Sequence, residues 1–162
     1  MKKINFSNAL RCIGQDLLRR DLKTFDIRNE GDRYVVQGGY QAPPAATPVT
    51  IHYTLADIRE LFAQAPEKRG GSAPSEDFVN LVQILRTIGG YLDKIEARLI
   101  RLTNSTSQGS GPLFRLEFET ADGELKVEEH SSAVIYEMCV AMYKRRGRLT
   151  GTGDRFDRKR GR

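Results

Sequence analysis

The residues best suited to chemistry in this chain lie at its C-terminal end. Lys144, Arg145, Arg146 and Arg148 are followed, after a short polar stretch, by Arg155, Phe156, Arg158, Lys159, Arg160 and Arg162, an arginine-rich run interrupted by glycine and carrying one aromatic. Basic side chains that neutralise phosphates release condensed counterions, so such a segment predicts salt-dependent, sequence-tolerant affinity for DNA or RNA, with Phe156 able to stack on a base. From Lys144 to Arg162 nine basic and two acidic residues give a net charge of +7, against +5 for the whole chain, which leaves the remainder at −2. The basicity is a property of the tail and not of the body.

Three other groupings invite a catalytic or metal-binding reading. Glu124-Leu125-Lys126 is a Glu-x-Lys after a hairpin turn, with Glu117 and Glu119 on the preceding strand; carboxylates so placed would hold Mg²⁺ as in a nuclease. The commoner meaning of this pattern is cross-strand Glu–Lys pairing on a wet sheet face. His52 and His130 are the two histidines, each near the end of an expected strand but one place out of register, which sends them to opposite faces. Cys12 and Cys139 have no neighbouring Cys or His at ligand spacing and read as reduced core residues. Gly-rich phosphate loops and Ser-His-Asp sets are missing, so no cofactor and no catalytic residues are expected.

The elements that must position these residues announce themselves by repetition. Leu10-Arg11-Cys12-Ile13-Gly14-Gln15-Asp16-Leu17 returns as Leu85-Arg86-Thr87-Ile88-Gly89-Gly90-Tyr91-Leu92, five identities in eight at an offset of 75. A weaker echo, at an offset of 77, links Thr54–Leu61 to Ser131–Met138. Periodicity gives the same element order in both halves. In the first half a helix begins at Ser7 with Leu10, Ile13 and Leu17 on one face, strands follow at 22–28, 33–41 and 49–53, and a helix starts at the Thr54/Asp57 capping box. In the second half a helix begins at Ser75, strands follow at 97–103, 113–120 and 124–129, and a last helix runs from Ser131 to about Arg146. The strand alternation turns Ile100 and Leu102, then Phe114, Leu116 and Phe118, then Leu125 and Val127 inward. The repeated arginines, Arg11 and Arg86, fall off the apolar stripes and are expected in solvent. Gly14 and Gly89, each costing about 1 kcal/mol inside a helix relative to alanine, predict a close helix approach.

The expected fold is therefore α+β: two tandem αβββα repeats with pseudo-twofold symmetry, each an antiparallel three-stranded sheet packed against helices. Residues 1–70 form the first repeat, 71–147 the second and 148–162 a basic flexible tail. The last helix is apolar almost all round between Val134 and Tyr143, where only Glu137 is charged, so it needs cover on more than one side. Val134, Ile135, Met138, Met142 and Tyr143 are its candidate interface residues, for the repeat junction or for a homodimer.

The composition is that of a globular domain, and no apolar run approaches the roughly 18 residues of a membrane span. The N-terminus passes from Lys2-Lys3 directly into helix-starting sequence without the apolar segment of a signal peptide, so the expected location is cytoplasmic, away from membranes. These features point to a non-catalytic nucleic-acid-associated protein that binds backbone phosphate through its tail. The alternative is an assembly module dimerising through the last helix; an Mg²⁺-dependent nuclease stands third.

Overall fold

The structure is a computed structural model that describes residues 4–22, 24–39, 48–64, 81–107 and 111–149, with the side chains of 106, 107, 111 and 143–149 outside that description. Among the described residues four helices and six strands follow in the order α1 (Phe6–Arg19), β1 (Thr24–Asn29), β2 (Arg33–Gly39), β3 (Val49–Thr54), α2 (Leu55–Gln64), α3 (Leu81–Lys94), β4 (Arg98–Ser107), β5 (Gly111–Glu119), β6 (Leu125–Ser131) and α4 (Ser132–Leu149). The fold is α+β, but the strands do not form two three-stranded sheets. They form one antiparallel sheet of six in the order β3-β2-β1-β4-β5-β6. The join is β1 on β4, with Asp26, Ile27 and Arg28 opposite Thr103, Leu102 and Arg101. Separate sheets would leave both strands as open edges with unpaired backbone groups; pairing them satisfies both ladders.

One face of this sheet carries the core. Phe25, Ile27, Tyr34, Val36, Tyr53, Leu99, Leu102, Phe114, Leu116 and Phe118 are buried together with Leu10, Ile13 and Leu17 of α1 and Ile84, Leu85, Ile88 and Leu92 of α3. The glycines show how closely the two helices approach. A Cβ on Gly14 would lie 3.1 Å from Leu85 Cδ1 and 3.3 Å from Val82 Cα, and one on Gly89 would lie 2.6 Å from the backbone nitrogen of Ser7. The approach is helix on helix, backbone to backbone, and only glycine permits it at position 89.

The same contact completes the N-terminus of α1. Asp93, near the end of α3, accepts from the Phe6 and Ser7 amides at 3.0 and 2.9 Å, and Asn5 serves as N-cap by accepting from Asn8 N. Ser7, where the sequence pattern starts the helix, lies inside it and is buried with its hydroxyl turned toward Arg86 O. Arg11 is also not in solvent: it is 6% exposed, and its guanidinium lies 5.3 Å from the Phe62 ring centroid on α2.

Two strands differ from their expected facing. A register shift between Leu99 and Arg101 puts Leu99 in the core beside Leu102 and leaves Ile100 half-buried. In β6 the whole alternation is reversed. Phe114, Leu116 and Phe118 stand opposite His130, Glu128 and Lys126, so these polar residues share the helix side, while Leu125 and Val127 lie on the open face at 71% and 54% exposure. A one-residue difference in register moves every side chain of a strand across the sheet. Glu128 is satisfied on the inner side by the Tyr91 hydroxyl of α3, so partner chemistry prevails over hydrophobic alternation here.

Candidate functional site

The open face is a lattice of charges laid out by strand register. One row across the sheet reads His52, Val35, Arg28, Arg101, Glu117 and Val127; the next reads Thr50, Gln37, Asp26, Thr103, Arg115 and Glu129. At its centre Arg101 grips Asp26 with both arms of its fork, Nε to Oδ1 at 3.0 Å and Nη2 to Oδ2 at 2.7 Å. Burial opposes ionisation of Asp26, but hydrogen bonds and charge from Arg101 and then Arg28 outweigh it and hold the carboxyl below the usual range. Arg98 is bound to Glu119 at 2.5 Å, Arg33 to Glu30 at 2.8 Å, and Arg115 lies 3.7 Å from Glu117. The arginines of this face are thus compensated by local carboxylates.

On the helix side two phenol–carboxylate pairs join helix to strand. Tyr53 of β3 donates to Asp16 Oδ2 at 2.5 Å, and Asp16 also receives Arg20 Nε at 2.9 Å and Arg19 Nη2. Burial works against ionising Asp16, yet Tyr53 and the two guanidinia together bring its carboxyl below the ordinary value. Burial and then the Asp16 carboxylate push the Tyr53 phenol upward. In the second pair Tyr91 of α3 donates to Glu128 at 3.0 Å, and His130 Nε2 lies 2.8 Å from Glu128 Oε2 with the two rings edge to face. A phenol, a carboxylate and an imidazole so arranged can share a proton. The Glu128–His130 pairing spans one strand and orients both side chains against the helix.

A cleft of about 640 Å³ opens where α1 begins, lined by Asn5, Asn29, Tyr34, Arg59, Asp93 and Arg98 among others. Burial and then the nearby Asp93 charge push the Tyr34 phenol up to about 12. The Asp93 carboxylate is already engaged in capping α1, and Arg98 in pairing with Glu119. Among the described residues no cluster of three or more His, Cys, Asp or Glu is placed to hold a metal ion.

The sequence candidates are distributed as follows. Lys144, Arg145, Arg146 and Arg148 lie on the last turns of α4, which continues to Leu149; Arg155, Phe156, Arg158, Lys159, Arg160 and Arg162 lie outside the described residues. Of the interface candidates, Ile135 is fully buried, Met138 and Met142 are half-buried, Val134 is 42% exposed and the Tyr143 side chain is outside the description. Met142 reaches Gly90, so α4 is covered by α3 on that side. The Glu-x-Lys group is not brought together: Lys126 faces the helices, whereas Glu117 and Glu119 face the open side. His52 and His130 do lie on opposite faces. Arg19 and Arg20, at the end of α1, are tied to Asp16. Asp93 and Tyr91 carry no signal in the sequence, because a carboxylate or phenol at a helix end has no pattern of its own.

No protein-family model, curated protein or solved structure matches the chain. Among the described residues no helix is long and apolar enough to cross a membrane.

Proposed function

We propose that the chain is a non-catalytic nucleic-acid-associated protein that holds backbone phosphate mainly through the segment from Lys144 to Arg162. One observation carries the reading: the net positive charge of the sequence is concentrated in this segment, at +7 against −2 for the rest, while Arg28 and Arg101, Arg33, Arg98, and Arg19 and Arg20 are engaged by Asp26, Glu30, Glu119 and Asp16 respectively. Phosphate binding releases counterions from the nucleic acid only where the protein's cations are free to replace them. The α4 helix carries Lys144, Arg145, Arg146 and Arg148 out to its C-terminus, where cations also complement the helix dipole.

The body that presents this segment we take to be a tandem duplication. Ile27 stands opposite Leu102, its own equivalent at an offset of 75, as residues on a twofold axis would. Gly14 meets Val82 and Gly89 meets Ser7, contacts that exchange under the same offset. Asn29 donates to Leu99 O and its equivalent Asn104 accepts from Phe25 N, each clamping the opposite half. These reciprocal contacts support the duplication.

The test compares the full chain with one ending at Leu149, which spares α4, for binding to duplex and single-stranded DNA and RNA over a series of salt concentrations. The full chain binds at low salt, and its affinity falls linearly with log salt. Removing Arg155, Arg158, Lys159, Arg160 and Arg162 lowers that slope by up to about 4.5 on a duplex. Failure of the full chain to bind at low salt sinks the proposal, and equal binding by both chains moves the site off the distal tail.

A further inference from the structure

The two outer edges of the sheet are not alike. At the β3 edge the open-face residues are Thr50, His52 and Thr54. At the β6 edge they are Leu125, Val127 and Glu129, and the first two are the most exposed large apolar side chains among the described residues. β6 has no strand on its outer side among the described residues. Apolar side chains beside a row of unpaired amides and carbonyls form a template for another strand.

We propose that β6 is a self-pairing edge through which two copies of this chain join antiparallel, making one continuous sheet. Charge selects both the partner and the register. Residues directly opposite in an antiparallel pair share a face, so a twofold axis perpendicular to the sheet must pass through a residue position. With the axis at Val127, Lys126 of each copy stands opposite Glu128 of the other, Leu125 stands opposite Glu129, and the two Val127 side chains meet. With the axis at 126 two lysines would oppose each other, and at 128 or 129 two glutamates would. Lys126 has no ion pair within its own chain among the described residues, so its charge is available to a partner. Charged residues on an edge strand normally discourage pairing; here they exclude the axes at 126, 128 and 129, and of the two registers that set Lys126 opposite a glutamate, the axis at 127 keeps residues 125–129 within β6 whereas an axis at 125 would need Glu124, outside the strand. One strand from each copy is a small contact, so the dimer dissociates readily. This edge is distinct from the α4 surface and independent of nucleic-acid binding.

Sedimentation velocity on the full chain without nucleic acid, over a concentration series, tests the pairing. Wild type self-associates, and Val127→Lys, a change on the open face away from the core, raises the dimer dissociation constant about tenfold or more. Lys126→Glu and Glu128→Lys each lose self-association, and mixing the two restores a dimer, because both cross-strand pairs are then of opposite sign. Hydrogen exchange locates the contact without any substitution: association slows the amides of 125–129. A wild type that stays monomeric throughout, a dimer unchanged by Val127→Lys, or exchange protection gained on α4 in place of β6 overturns the proposal.

Discussion

Asp93 illustrates how much of this fold rests on single polar atoms. Its two carboxylate oxygens serve two amides at the start of α1 from the end of α3, so one residue closes a helix terminus and joins the halves. Asp93→Ala is expected to lower stability by about 1 to 2 kcal/mol, the range for losing a helix cap, as read from urea unfolding. Gly89→Ala places a methyl against the Phe6–Ser7 backbone and should cost about 1 to 3 kcal/mol, as overpacking does; Gly14→Ala, whose nearest neighbour is a movable Leu85 methyl, should cost less. Asp16 and Asp26 both titrate below their ordinary values when folded. Their contribution is therefore present above the unfolded carboxylate value and is lost as pH falls through the lower folded values. Urea midpoints measured down an acid series should fall across that window. In Tyr53→Phe, where Asp16 keeps its arginines but loses the phenol, the fall should be shallower.

Elements are legible in the sequence where one physical signal dominates and ambiguous where two compete. The Leu10/Ile13/Leu17 and Leu85/Ile88/Leu92 stripes identified α1 and α3, because a helix face three to four residues wide has one way to meet a sheet. The Thr54/Asp57 box marked the start of α2, with Thr54 N to Asp57 Oδ2 at 2.9 Å and Asp57 N to Thr54 Oγ1 at 3.1 Å. In β6, however, alternation favours burying Leu125 and Val127, while pairing with β5 and the Tyr91 hydroxyl favours turning Glu128 and His130 inward. The reversed facing has a direct test in unfolding free energies. Val127→Thr should change stability by less than about 0.5 kcal/mol, as an exposed site does, whereas Leu116→Ala on the adjacent strand should cost about 2 to 5 kcal/mol. An equal loss at both positions would mean that Val127 is in the core.

At the scale of the whole molecule the halves depend on each other. β1 completes its ladder only with β4, α1 packs on α3, and Arg101 is bound to Asp26 across the junction. A chain of residues 1–70 alone would expose the inner faces of α1 and β1, and a chain of 71–162 those of α3 and β4. Neither is expected to show a cooperative unfolding transition or dispersed amide resonances by itself, and a mixture of the two should recover both. Cooperative folding of either half alone would show that its own core suffices.

By itself the sequence determined the class of the protein, the order of its helices and strands, the faces of α1 and α3 and the uneven placement of charge, because each follows from local periodicity, capping chemistry and composition. Only the tertiary structure decided that six strands make one sheet, that Arg11 is buried under Phe62, that Asp93 caps a helix 86 residues away at Ser7, and that β6 turns its leucine and valine outward. Each of those outcomes depends on a partner distant in sequence, and a one-residue choice of register or a single hydrogen-bonded carboxylate leaves no periodic trace from which it could have been read.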